Sequence, residues 1–330
     1  MKHSKINSIA LLMIVLSGCN AKPYIDVRDK VSSSQLNIPV SNFESIAWLN
    51  EDHITFIYES NNLDGDKTNK EVSIGAFEIS TNTMLDLVSS DSIPYCRSGS
   101  RRISDLSRIT DNFLGFIFHC SSGGDVLYIL NIESKEIIKR QTYLDFTARS
   151  FSFSPDLLQI VQENGNGGGL SEELLLISSD GSIKRLLSDF QRARSPSWSV
   201  DGKTIAFAGN HASMDGVKKL FLSPWDIYLM NADGTAPRVL VPSVGIIYGL
   251  KWSPANKDLL LFGGSSFDNA DGVWLLDTSN LGVQRIWDKN TEFDWSPDGS
   301  KVVLLDNQVD TWWTKILIID VSDLVSSIGR

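Results

Sequence analysis

A short motif of two strands joined by a tight turn recurs along the chain, at intervals of about 43 to 58 residues. Four copies are clear: Arg149–Gln162, Arg194–Phe207, Tyr248–Leu261 and Thr291–Leu304. Their turns are rich in Ser, Pro, Asp and Gly, which suit tight turns for separate steric reasons. Two weaker copies, Ser45–Phe56 and Ile103–Phe116, come before them. Such self-similarity predicts a series of equivalent units, not the two unrelated domains that 330 residues would otherwise suggest.

A second hairpin follows most copies of the motif. These hairpins occupy Gly75–Leu87, Asp125–Ile138, Glu173–Leu187, Asp226–Val241 and Gly272–Ile286. Each copy has one anchor residue before its turn: Trp48, Leu106, Phe153, Trp198, Trp252 and Trp295. Four strands in a repeat of this length are typical of a propeller blade. We therefore predict an all-β chain forming a six-bladed β-propeller of four-stranded antiparallel blades.

The fourth copy is the most regular and carries a family resemblance. Trp198–Phe207 together with Asp226–Leu240 resembles the TolB-like, WD40-like propeller repeats, which also occur in prolyl-oligopeptidase-type peptidases. The resemblance covers about residues 40–330 and is strongest in the second half. It implies the same propeller fold.

The first 19 residues resemble a signal for export from the cytoplasm. Lys2 and Lys5 precede an apolar run, Ile9–Leu16, that is too short to cross a bilayer. Leu16–Cys19 resembles the lipobox of bacterial lipoproteins, which implies cleavage before Cys19 and attachment of palmitate and other acyl chains there; a plain secretory peptide with an incidental cysteine is the alternative. We expect residues 1–18 to be the signal peptide, 19–40 a lipid-anchored tether, and 41–330 the propeller. In the enterobacterial lipoproteins that this segment resembles, an Asp after the cysteine retains the protein in the inner membrane. In a Gram-negative source the resemblance therefore implies, from Asn20, the outer membrane, in the periplasmic leaflet or at the surface.

The sequence leaves two questions open: whether two cysteines form a disulfide, and which segment supplies the fourth strand of the sixth repeat. Cys96 and Cys120 can form a disulfide in an oxidising periplasm, or stay as two buried thiols. In the sixth repeat the fourth strand is missing or very short, so that Tyr24–Val27 is a candidate for it. The alternative is that residues 19–37 are only a tether.

The loops divide the predicted propeller into two unlike faces. Turns within the hairpins are short, but the loops between hairpins are long: Glu59–Glu71, Glu163–Ser171, Asn210–Pro224, Gly263–Asp271 and Asn307–Thr314. Long loops in a compact domain usually carry function, so we expect binding on the long-loop face. The net charge of −10 argues against nucleic acid as the partner.

Certain side chains on that face are candidate binding residues. Four residues before each anchor stand Glu44, Arg102, Arg149, Arg194, Tyr248 and Thr291. Three successive arginines there form either a basic arc for a carboxylate or phosphate, or ion pairs that hold neighbouring blades together. Trp312 and Trp313, in the last long loop, are either a partner contact or sugar platform, or a cover for the core.

The sequence offers little for catalysis. The peptidase relatives place their serine nucleophile in a G-x-S-x-G elbow on a separate domain, and that motif does not occur here. His53, His119 and His211 have no metal-ligand spacing, and His119, beside Cys120, is predicted to be structural. We expect a non-catalytic, monomeric, lipid-anchored propeller with no cofactor or metal, which binds a protein or an envelope glycan. The alternative is a lyase-like propeller that processes a saccharide or small ligand at the arginine-lined mouth.

Overall fold

A computed structural model describes most of the chain as β-strands. The described residues are 24–36, 38, 43–60, 71–93, 101–121, 124–143, 147–165, 172–187, 189–190, 192–210, 225–266, 270–307 and 314–327. Two strands, β1 (Ile25–Asp26) and β2 (Ser32–Leu36), come first, with a 3-10 turn at Arg28–Lys30 between them.

Antiparallel four-stranded units follow in chain order. Unit 1 contains β3 (Phe43–Asn50), β4 (His53–Ser60), β5 (Glu71–Glu78) and β6 (Thr83–Ser89), with a 3-10 turn at Ser90–Ser92. Unit 2 contains β7 (Arg101–Thr110), β8 (Phe113–Cys120), β9 (Gly124–Asn131) and β10 (Ile137–Tyr143). Unit 3 contains β11 (Thr147–Phe153), β12 (Gln159–Gly165), β13 (Glu172–Ser178) and β14 (Ile183–Leu186).

The later units share or borrow strands. Unit 4 contains β15 (Arg192–Trp198), β16 (Thr204–Asn210), β17 (Trp225–Asn231) and the first part of β18 (Arg238–Trp252). Unit 5 contains the rest of β18, β19 (Leu259–Ser266), β20 (Ala270–Asp277) and β21 (Val283–Trp287). Unit 6 contains β22 (Phe293–Trp295), β23 (Lys301–Asn307) and β24 (Thr314–Asp320), before a short helix, α1 (Ser322–Ser327). No helix within the described ranges is both long and apolar enough to cross a bilayer.

The chain's first strands join its last two units. β2 pairs antiparallel with β24 and so supplies the fourth strand of unit 6. The sequence had pointed to Tyr24–Val27 for that place, but this segment lies against unit 5, where β1 pairs parallel with β21. The reason is burial. Tyr24 packs edge-on against Trp274 at 4.6 Å and Val27 is buried, whereas β2 is almost wholly exposed and needs no apolar side chains.

Apolar side chains fill each junction between consecutive units. Separate buried clusters join units 1 and 2, 2 and 3, 3 and 4, 4 and 5, and 5 and 6. A further cluster joins unit 6 back to unit 1, where Val303 and Ile316 pack with Phe43, Trp48 and Phe56. A single four-stranded sheet cannot bury both faces, so each unit depends on its two neighbours for its core.

The anchors also tie the units together through hydrogen bonds. The Trp198 N–H donates to Ser152 Oγ of unit 3 (3.0 Å), and the Trp252 N–H donates to Ser197 Oγ of unit 4 (2.8 Å). The Trp48 N–H donates to Asp294 Oδ2 of unit 6 (2.9 Å). In all three cases the acceptor belongs to the residue just before the neighbouring unit's anchor. The repeated motif therefore positions both the core and the links between units.

The turns after the anchors repeat one local hydrogen-bond pattern. Ser199 Oγ donates to Asp201 (2.7 Å) and accepts the Thr204 N–H (3.0 Å). Gly202, at φ 68°, adopts the left-handed conformation that the turn requires. The Ser154 and Ser296 turns are built in the same way. This pattern keeps one end of every such hairpin short.

Candidate functional site

A cavity of about 420 Å³ lies where the inner strands begin, at the end of the units that also carries the long loops. Every unit contributes to its lining, with at least one residue each: Glu44, Asp105, Ser150, Ser195, Tyr248 and Glu292. The cavity therefore sits on the axis about which the units are arranged. This is the mouth that the sequence analysis assigns to binding.

Irregularities in the inner strands shape this cavity. The pairing register shifts between Ser104 and Ser107 in β7, and between Arg194 and Ser197 in β15, with comparable shifts in β3, β11 and β18. Asp105 and Ser195 have φ values of 55° and 52° within these bulges. A bulge bends the strand and re-aims a side chain, and both of these residues line the cavity.

The charge of the cavity lining is mainly negative. Glu44, Asp105 and Glu292 supply carboxylates, and Lys251 supplies the cation. Lys251 Nζ lies 3.1 Å from Asp294 Oδ1, so its charge is already balanced. Asp105 accepts a hydrogen bond from Ser104 Oγ. Glu44 is paired in the same way, with Arg102 Nε at 3.6 Å, so the excess negative charge of the lining rests on Asp105 and Glu292. A cationic group suits this lining better than the anion that an arginine arc would bind.

Glu292 is the most unusual of these carboxylates. Its side chain is exposed to solvent within the cavity, whose walls surround it with protein, and no described residue gives its carboxylate a hydrogen bond or an ion pair. Burial raises the pKa of Glu292 to about 7, and repulsion from Asp105 and Asp294 adds to this effect, while Lys251 opposes it. A bound cation would favour the ionised form and release a proton near neutral pH.

The predicted arginine arc lies elsewhere. Glu44, Tyr248 and Thr291 line the cavity, but none of the three arginines is among its described lining residues. Arg102 Nε lies 3.6 Å from Glu44 of unit 1, so this pair spans two units. Arg149 lies 3.7 Å from Glu163 within its own unit.

Arg194 makes a different set of contacts. Its guanidinium lies 4.0 Å from the centre of the Trp225 ring and 5.9 Å from that of Tyr248, and it donates to the Ile247 carbonyl of unit 5. Tyr248 itself is 52% exposed at the mouth. Arg194 therefore bridges units 4 and 5, and Tyr248 offers the mouth an aromatic surface.

The remaining predicted site residues are described only in part. Cys120 is disulfide-bonded and 3% exposed. Cys96, which the sequence analysis proposes as its partner, lies outside the described residues, as do Cys19, Trp312 and Trp313.

A second cavity, of about 260 Å³, lies at the short-turn end of the same axis. Its lining includes anchors and turn residues: Trp48, Trp198, Trp252, Trp295, Pro155, Leu157 and Pro254. Ser107, Ser152, Ser197 and Lys251 line both cavities, so they mark the level at which the two meet. One end of the axis is therefore acidic, and the other is lined by the anchors together with the polar residues of their turns.

Sequence reasoning missed Asp105, Lys251 and Glu292. Asp105 and Lys251 stand one residue before an anchor, and Glu292 stands three residues before one. Units 3 and 4 have serines at these positions, such as Ser152 and Ser197. A comparison of the repeats position by position reveals these charged exceptions. Among the residues described, no group of three or more His, Cys, Asp or Glu side chains is arranged to hold a metal ion.

No protein-family model and no curated protein sequence matches this chain. Solved structures do match it, and they define a β-propeller. The propeller domain of the Trilobed protease from Pyrococcus furiosus has a TM-score of 0.52 at 12% identity, over 84% of this chain and 82% of that one. More particularly, the fold is TolB-like. A protein assigned as TolB from Agrobacterium tumefaciens has a TM-score of 0.57 at 19% identity, over 76% of this chain and 85% of that one.

An enzyme shares the same fold. An oligogalacturonate lyase solved in complex with manganese has a TM-score of 0.52 at 12% identity, over 90% of this chain and 95% of that one. At such identities the likeness defines the fold alone. The function has to be argued from the residues of this chain.

Proposed function

We propose that the units close into one six-bladed propeller. The support is cyclic: apolar clusters join every consecutive pair of units, and one joins unit 6 to unit 1. The hydrogen bond from Trp48 to Asp294 and the pairing of β2 with β24 strengthen that last junction. The first and last parts of the chain then stabilise each other.

The propeller is held at the cell envelope by lipid on Cys19. The basic start, the short apolar run and the Leu-Ser-Gly-Cys sequence support this assignment. Several acyl chains bind a bilayer far more firmly than one, since each buried CH₂ contributes about 0.8 kcal/mol. Replacing Cys19 with Ser should move the protein from the membrane pellet to the soluble fraction. Unchanged pelleting of Cys19→Ser would contradict lipid anchoring.

The propeller works as a binding module for a protein partner that carries a basic side chain. The axial cavity supports this function: its lining is mainly acidic, and the carboxylate of Glu292 is exposed in it without an ion-pair partner among the described residues. A lysine or arginine side chain from the partner would enter the cavity, while the exposed Tyr248 contacts the apolar part of the same side chain.

Affinity capture from detergent-solubilised membranes tests this function. We compare the wild type with Glu44→Gln/Glu292→Gln and with Arg102→Ala/Arg149→Ala/Arg194→Ala. The cavity variant should lose the partner that the wild type captures, and the arginine variant should keep most of it. If the arginine variant loses the partner and the cavity variant keeps it, the arginine arc is the binding site and our assignment is wrong.

A further inference from the structure

A chain of polar side chains crosses the sheet of unit 2 beside the axial cavity. Ser104 Oγ lies 2.7 Å from His119 Nε2, and His119 Nδ1 lies 2.8 Å from Asp125 Oδ1. The three residues belong to the adjacent strands β7, β8 and β9, with His119 directly opposite Asp125 in the ladder. Rigid strands, not loops, therefore hold this arrangement.

The alternation of side chains along a strand explains why the three meet. Ile117 and Leu127 lie on the same faces of β8 and β9 as His119 and Asp125, and they pack towards unit 3. The Asp125 side chain is 9% exposed, while that of His119 is 25% exposed and Ser104 is partly exposed. The carboxylate is thus buried behind the imidazole, and the hydroxyl is accessible.

This order of groups is that of an activated serine. A carboxylate that accepts from Nδ1 orients the imidazole and leaves Nε2 to take a proton from the hydroxyl. We propose that Ser104, His119 and Asp125 form an acyl-transfer site that hydrolyses esters of short carboxylic acids. This activity goes beyond the proposed binding function, because none of the three residues lines the described axial cavity.

The reaction needs only an ester and water. Ser104 Oγ bonds to the acyl carbon, its proton passes to His119 Nε2, and that proton then leaves with the departing alcohol. Water next gives a proton to His119 Nε2, and its hydroxide adds to the acyl carbon. The bond from the acyl carbon to Ser104 Oγ then breaks, the proton on His119 Nε2 passes to Ser104 Oγ, and the carboxylic acid leaves. Asp125 is a positioning residue that also stabilises the imidazolium between these steps.

Two neighbours modify the site. Arg102 stands opposite His119 in the ladder, and its side chain is 67% exposed and lies 3.6 Å from Glu44 of unit 1. Asp105 accepts a hydrogen bond from Ser104 Oγ, so it competes with His119 for the serine proton. Asn at position 105 would tolerate the left-handed backbone and could donate to Ser104 Oγ instead. Asp105→Asn should therefore make Ser104 more reactive.

The test uses the full lipidated protein in detergent, a fluorophosphonate probe and p-nitrophenyl acetate. We expect one probe adduct, located on Ser104 by mass spectrometry, and slow ester hydrolysis. Both should vanish in Ser104→Ala and fall at least about 100-fold in His119→Ala. Ser134→Ala, which removes an exposed hydroxyl from the β9–β10 turn of the same unit, should keep both, and Asp105→Asn should increase both.

The pH profile separates a catalytic relay from a merely structural network. Labelling of the wild type should fall in acid, because a protonated imidazole cannot accept the serine proton, and Asp125→Asn should shift that profile. The proposal is overturned if neither the wild type nor Asp105→Asn forms an adduct on Ser104. It is equally overturned if Ser104→Ala hydrolyses the ester as fast as the wild type.

Discussion

The two ends of the propeller axis differ in how they are built. At the short-turn end, the same side chains return in successive units: an anchor, a serine that organises its turn, and a proline or glycine beside it. At the long-loop end, each unit places a different residue, from Glu44 and Asp105 to Tyr248 and Glu292. Repetition therefore marks what every unit needs for stability, and departure from repetition marks what one site needs for binding.

The comparison predicts a large loss of stability at one aromatic residue of β18 and almost none at another. Trp252, an anchor that is 8% exposed, packs in the core between units 4 and 5, and its backbone N–H donates to Ser197. Trp252→Ala should lower the free energy of unfolding by about 3–5 kcal/mol. Tyr248→Ala, at a residue that is 52% exposed, should change it by less than about 0.5 kcal/mol. Urea denaturation measures both, and equal losses would remove the distinction between the two ends.

A smaller effect is expected at the turns of the short-turn end. Ser199 is buried, and its hydroxyl both donates to Asp201 and accepts the Thr204 N–H. Ser199→Ala should cost about 0.5–1.5 kcal/mol, because the part-buried Thr204 N–H loses its partner. Ser33→Ala, in the exposed strand β2, serves as the matched control and should be neutral. A neutral Ser199→Ala would show that the repeated serine does not organise the turn.

The effect expected at Glu292 depends on pH. Its pKa rises from an ordinary 4.5 to about 7 on folding, so its contribution to stability is complete below pH 4.5 and is lost as the pH rises through 7. Glu292→Gln should therefore flatten the decline in stability between these values and leave the protein relatively more stable at pH 8. Thermal unfolding across pH 4 to 8 tests this. Identical pH profiles for the wild type and Glu292→Gln would mean that folding does not change the pKa of Glu292.

The repeats themselves could be predicted from the sequence because anchor, turn and strand carry a pattern that recurs. The strand that completes unit 6 could not. Ser32–Leu36 adds to an exposed edge and has no alternation of apolar residues. Tyr24–Val27 has apolar residues because Tyr24 and Val27 pack into the cores on either side of unit 5. An apolar pattern shows that a segment is buried, but not which strand it joins.

The site was harder to predict than the fold. Spacing from the anchors brings Glu44, Tyr248 and Thr291 to the cavity, but the arginines at the same spacing turn to other partners. A long arginine side chain can reach a carboxylate or an aromatic ring several ångströms away, so its position on a strand does not fix where its charge lies. The relay through His119 was also missed, because its three members come from three strands and show no motif in sequence.

Calorimetric titration with tetralysine tests the central claim, that the acidic axial cavity binds a basic group. Wild type should bind and release protons near pH 7, and Glu44→Gln/Glu292→Gln should weaken Kd at least about tenfold, or about 1.4 kcal/mol. Glu51→Gln/Glu136→Gln removes the same charge from two exposed positions at the short-turn end and should bind as the wild type does. If both double variants bind tetralysine equally weakly, its binding depends only on the net charge of the protein, and the cavity is not the site.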